Sequence, residues 1–93
     1  MVKHKRLYLN FFDYQIGDWI PCENCGRTAS EFHHLVFKSL GGSDEPENVM
    51  ALCVSTPDKV GCHNRAHIDR KFNESLKIKH REKYETWKRV TGK

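Results

Sequence analysis

The sequence predicts a small α+β domain: two short strands followed by helices, drawn together by cysteines. Three observations point there. Four cysteines fall in two separated groups, in PCENCG at 21–26 and LCVSTPDKVGCH at 52–63. Two short β-like runs, TASEFHHLV at 28–36 and VMALC at 49–53, lie between or beside them. From Cys62 onward the apolar residues recur with a helical period.

The chain has 93 residues, the size of one domain, expected to span 1–93. Only 38% of it is hydrophobic and 30% is charged. A core that small usually needs a staple. The N-terminus has no apolar signal region, and no 18-residue apolar run follows. The expectation is a soluble, non-secreted protein without a membrane span, working in a cytoplasm. In a reducing compartment the four thiols are expected to hold a metal rather than to pair as disulfides. The net charge of +4 and the pI near 9.0 favour an anionic partner, although a zinc held by four thiolates would lower that charge by two. Six residues are histidine, and those at 33, 34, 63 and 67 stand close to cysteines.

Residues 2–6, VKHKR, make a short basic start in which His4 has no readable role. LYLNFFDY at 7–14 predicts a short helix packed through Leu7, Phe11 and Phe12. IGDWIP connects it to CENCGR, a knuckle in which two thiols stand one tight turn apart and Gly26 allows the left-handed turn. After the first strand, KSLGGSDEPEN at 38–48 is an irregular loop marked by Gly41-Gly42 and Pro46. VMALC is the second strand and VSTPDKVG a loop. A helix is expected from Cys62 to Phe72. Asn73 is expected to break it and cap a second helix over about 74–90, with Gly92 just beyond. Phe72, Leu76, Trp87 and Val90 share one stripe of that helix, with Tyr84 at its edge. His80 falls within the stripe and is expected to be packed rather than to ligate. Lys71, Lys77, Lys79, Arg81, Lys83, Lys88 and Arg89, among glutamates, make this C-terminal half basic, a surface that suits either phosphate or plain water.

Cys22, Cys25, Cys53 and Cys62 fit one tetrahedral structural zinc site, with free buried thiols or a disulfide as the alternatives. The second pair is irregular, eight residues lying between Cys53 and Cys62, but a loop of that length closes easily. His63 and His67 are four apart on the predicted helix, the spacing with which two imidazoles grip one metal. Because Cys62 directly precedes His63, the zinc would fix the start of the helix that carries a second metal's ligands.

Taken together, EFHH at 31–34, Asn48 in GGSDEPEN, and CHNRAH at 62–67 resemble the HNH endonucleases of the ββα-metal fold. The two cysteine groups around the motif resemble its zinc-stapled, small phage-type subgroup. The resemblance covers residues 21–67 and implies a core motif over 21–72. By position, His33, His63 and His67 resemble the ligands of a catalytic divalent metal. His34 resembles the general base, and Asn48 the central asparagine that braces the loop and orients that base. Glu31 matches an acidic position behind the ligands. Lys38 and Arg65 are candidates for DNA phosphate contacts.

The resemblance implies metal-dependent hydrolysis of DNA phosphodiesters, by nicking or double-strand cleavage, leaving 5′-phosphate and 3′-hydroxyl ends. A neutral histidine suits proton abstraction at neutral pH. Three imidazoles suit Zn²⁺, Ni²⁺, Co²⁺ or Mn²⁺ better than Mg²⁺. The expected partner is double-stranded DNA. The alternatives are a non-catalytic zinc module that binds nucleic acid or protein, and a nuclease subunit working with phage packaging proteins. One conflict stands out. Neighbours on a straight strand point to opposite faces, yet His33 and His34 must serve one phosphate. The first strand is therefore expected to end or bulge at EFHH, with His34 held by the loop that carries Asn48.

Overall fold

The computed structural model describes all residues, 1–93. Its elements are helix α1 (Lys3–Phe11), strand β1 (Glu31–His34), strand β2 (Val49–Leu52), helix α2 (Cys62–Ile68) and helix α3 (Arg70–Thr91), with single 3₁₀ turns at Lys38–Leu40 and Pro46–Asn48. The α+β expectation holds: one two-stranded antiparallel sheet packs among helices, and the four cysteines cluster. No helix is long and apolar enough to cross a membrane.

β2 organises the packing. All four of its residues are fully buried, which is why VMAL reads as an unbroken apolar run. Successive side chains point to opposite faces. Val49 and Ala51 join Tyr8, Leu9, Phe12 and Ile20 on the α1 side, whereas Met50 and Leu52 join Leu35, Ala66, Leu76 and the buried cysteines on the other. Burying a side chain such as Leu52 or Met50 contributes roughly 1.5–3 kcal/mol each, so this one strand ties two small clusters into one fold.

β1 is shorter than the expected 28–36. It pairs regularly with β2 from Glu31↔Leu52 to His34↔Val49, then stops. Upstream, Thr28 makes only an isolated bridge to Pro21, because the knuckle turns the chain away there. The knuckle itself closes through Cys22 N–H to Arg27 O at 2.6 Å and Gly26 N–H to Cys22 O at 3.0 Å, with Gly26 at φ 81°.

The helical region departs from expectation at its break. Asp69, not Asn73, is the extended residue between α2 and α3. Its carboxylate accepts the Phe72 N–H at 3.0 Å and caps α3. Asn73 lies inside the first turns of α3 and is buried. α3 ends at Thr91 with Gly92 left-handed at φ 76°, as the sequence suggests. Of the expected stripe, Leu76 is fully buried, and Phe72, Trp87 and Tyr84 pack against the two clusters. Val90 does not belong to it and is 73% exposed, because α3 outruns the small core. α1 buries Tyr8 and Leu9, with Phe12 just beyond its end, so Tyr8 and Leu9 take the place expected for Leu7.

Candidate metal centre and active site

The cysteine group forms first, because the knuckle, the end of β2 and the start of α2 meet there. Cys22, Cys53 and Cys62 are buried and Cys25 is exposed. All four are free thiols, with sulfurs within 4.8 Å of one another. Cys25 and Cys53 Sγ are 3.6 Å apart, too long for a disulfide and close to the edge of about 3.8 Å that a tetrahedron of ~2.3 Å Zn–S bonds requires. Burial pushes the Cys62 thiol up to about 12 and raises Cys22 as well. A bound cation would offset that penalty by holding the thiolates. Asn24 Nδ2 reaches Cys62 Sγ, and Arg27 Nη2 reaches Cys53 Sγ at 3.2 Å, outer partners suited to thiolate sulfur. The donor set fits a structural zinc.

The second group sits where β1 faces α2. His33 Nδ1 and His63 Nδ1 are 3.2 Å apart, and the His63 and His67 rings lie 4.7 Å apart, one turn along α2. A tetrahedron of ~2.05 Å metal–nitrogen bonds has an edge of about 3.3 Å. The tautomer of His33 follows from its neighbour Asn73. That amide donates through Nδ2 to Leu35 O at 2.9 Å, so its Oδ1 faces His33 Nε2 at 2.8 Å and must accept from it. The Nε2 proton leaves the Nδ1 lone pair aimed at the other rings. Burial holds His33 down at about 4, His63 and His67 adding to the effect while Asn73 opposes it. Burial also lowers His63, with His67 beside it. Neutral imidazoles with converging lone pairs are the form a divalent metal needs.

His34 occupies the other face of β1. Regular pairing forces this: His33 stands opposite Met50 and His34 opposite Val49. There is no bulge. Both rings nevertheless border one open hollow, lined also by Glu31, Phe37, Lys38, His63 and His67, because β1 is an edge strand that ends there. His34 Nε2 lies 2.8 Å from Asp44 Oδ1, and Lys38 Nζ lies 3.1 Å from Asp44 Oδ2. The hydrogen bonds from His34 and Lys38 hold the Asp44 carboxyl down at about 2. An ionised Asp44 accepts the Nε2 proton, leaving His34 Nδ1 as the free proton acceptor.

Asn48 does not touch His34. Its Oδ1 accepts the Val36 N–H at 2.8 Å, and its Nδ2 donates to Val36 O and Ser43 O at 3.1 and 2.9 Å. It pins the two ends of the loop that presents Asp44. Lys38 lies at the hollow. Arg65 lies away from it, its guanidinium over Phe72 at 4.1 Å and paired loosely with Asp69. Asn64 accepts the Ser55 N–H and braces the loop before α2.

Four functional neighbours escape a reading of the sequence. Asp44 and Asn73 look like loop and helix-cap residues. His4 lies in the basic start, yet its ring stands 4.4 Å from that of His34. Glu23, inside the first cysteine pair, is buried and bonded to Tyr8 and His80. The one available signal was an acidic residue in a zinc knuckle, where thiolate charge makes another carboxylate unfavourable unless it is paired elsewhere.

A hairpin and following helix that converge three imidazoles, with a fourth histidine beside them, define a ββα-metal domain. The sequence profile of the HNH endonuclease family matches residues 22–69, more than half of the chain, and this protein belongs to that family. It is similar to the type IV methyl-directed restriction enzyme EcoKMcrA of Escherichia coli (strain K12), at 31% identity over 67 residues. That match covers 61% of this chain and 22% of the restriction enzyme, so the chain spans about a fifth of that relative's length. No solved structure gives a significant match.

Proposed function

We propose that this chain is a metal-dependent endonuclease that hydrolyses phosphodiester bonds of double-stranded DNA as a single domain, residues 21–72 forming its core. The reading rests on one observation: His33, His63 and His67 converge on the hollow that is also bordered by His34, whose Nε2 is engaged by Asp44.

His34 Nδ1 takes a proton from the attacking water. Its Nε2–H donates to Asp44, which holds the ring in place and stabilises the imidazolium that forms. Lys38, already against Asp44, stands where a phosphate oxygen would enter. His33, His63 and His67 would hold the divalent ion, and Asn73 fixes the ring that comes from β1. When bound, that ion supplies positive charge to the phosphate and its departing 3′ oxygen. Cys22, Cys25, Cys53 and Cys62 hold zinc as a staple. Glu31, exposed at the hollow's rim, adds negative charge near His63.

The test is plasmid cleavage with added divalent metals. Mn²⁺ or Ni²⁺ is expected to support activity at lower concentration than Mg²⁺, because imidazole is the softer ligand. His34→Ala should lose about 10²–10⁴-fold in rate, the scale of general base catalysis, while retaining the ions at the four cysteines and at His33, His63 and His67. Equal cleavage by the two proteins would remove His34 from the mechanism.

A further inference from the structure

Beyond the three-imidazole centre and the four sulfurs, one more set of ligand-type side chains converges. We propose that His4, His34 and Asp44 form a second divalent-cation site in the hollow, filled at higher metal concentration than the His33–His63–His67 centre.

The three residues come from three parts of the fold: the start of α1, the end of β1 and the loop that Asn48 pins. Their donor atoms lie within 4.8 Å of one another. His34 Nε2 and Asp44 Oδ1 are 2.8 Å apart, and the His4 ring is tilted 51° against His34 at 4.4 Å. All three are half-buried, so the donors are held yet remain reachable by a solvated ion. Two imidazoles and a carboxylate suit Zn²⁺, Ni²⁺ or Mn²⁺. The site is the weaker one, because Lys38 already places an ammonium 3.1 Å from Asp44 and a dication must compete with it. His4 lies outside the segment that matches the family profile, so the site is a property of α1 docked on this core.

The consequence rests on the proposed role of His34 as base. A neutral imidazole carries one ring proton. A cation on Nε2 displaces that proton, which returns through solvent to Nδ1. Nδ1 then has no lone pair to offer water, and hydrolysis stops. Excess zinc would thus silence an enzyme that needs zinc for its fold.

The experiment is equilibrium dialysis of the full chain against zinc, read by elemental analysis. The native protein should take up three ions per chain. His4→Phe keeps an aromatic ring against His34 but offers no donor. It should take up two, with the third weakened at least about tenfold, since loss of even an outer-shell partner has that effect. His4→Ala, with a different shape, should match it, and the two retained ions report that each variant is folded. Saturation of the native protein at two ions overturns the proposal, as does a third ion bound equally well by both variants. In parallel, Mn²⁺-supported plasmid cleavage is titrated with zinc. The native enzyme should be inhibited at zinc concentrations at least about tenfold lower than His4→Phe. A shift in binding without a shift in inhibition upholds the site and overturns the role of His34 as base.

Discussion

Asp44 shows what a single side chain contributes here. Its carboxylate is the group that turns His34 from an exposed ring into an aligned one, with Lys38 on its second oxygen. Asp44→Ala should therefore lower kcat by about 10- to 100-fold, less than loss of the ring itself, while KM and the ions at the four cysteines and the three imidazoles stay as they are; steady-state kinetics and elemental analysis at low metal concentration check both. Glu23 works differently. Burial alone would raise its carboxyl, but the hydrogen bond and charge of His80 outweigh that, and Lys83 and Tyr8 add to them. Both His80 nitrogens face acceptors, Glu23 Oε1 and Pro46 O, each at 2.7 Å. Glu23 thus titrates lower in the folded protein than its ordinary value of 4.5. The stability it contributes is fully present above about pH 4.5 and is lost as the pH falls through the lower folded value. Thermal melts from pH 7 to pH 3 should show a steep acid loss that Glu23→Gln flattens. Neither role is legible in the sequence, since a carboxylate's partner is set by distant chain. The metal-type residues are legible, because a cysteine or histidine at ligand spacing has few other uses.

Among the elements, the loop from Leu35 to Asn48 decides how His34 is held. Gly42 passes so close to β1's exit that an added Cβ would lie 1.7 Å from Val36 O and 3.0 Å from Asn48 Nδ2. Backbone cannot yield there cheaply. Gly42→Ala should destabilise the protein by more than about 1 kcal/mol and reduce cleavage further than the loss of stability explains, because it spreads the segments Asn48 joins; chemical denaturation beside a cleavage assay separates the two. The glycine pair is visible in the sequence as a turn, but the contact that makes Gly42 irreplaceable is between residues six apart that only the folded loop brings together. The helical break shows the same limit. Asn73 is a good cap by type, as is Asp69. The choice fell on Asp69 because Asn73 is needed inward, holding His33 and Leu35.

Across the whole molecule, the staple and the sheet divide the work. β2 joins two small clusters, and the four sulfurs tie β2 to the knuckle and to α2. His63 N–H bonds Cys53 O at 3.0 Å, so the cysteine cluster also sets the first turn of the helix that bears His63 and His67. Removing the proposed zinc should therefore unfold the site along with the knuckle. Chelation followed by circular dichroism is expected to show loss of the cooperative melt, restored by zinc; a melt unchanged by complete metal removal would show that the apolar clusters suffice.

What the sequence determined by itself is the inventory of side chains and the local order: cysteines and histidines at metal-ligand spacings, a hairpin followed by helices, and the family motif that joins them. These are short-range or residue-type properties, readable without knowing where the chain returns. Only the tertiary structure decided that β1 stays straight through EFHH, that His33 and His34 reach one hollow from opposite faces of a strand that simply ends, and that Asp44, Asn73 and His4 attend them. Those partners lie 10, 40 and 30 residues from the rings they touch. Contacts at such separations are fixed by packing across the sheet, and no local pattern records them.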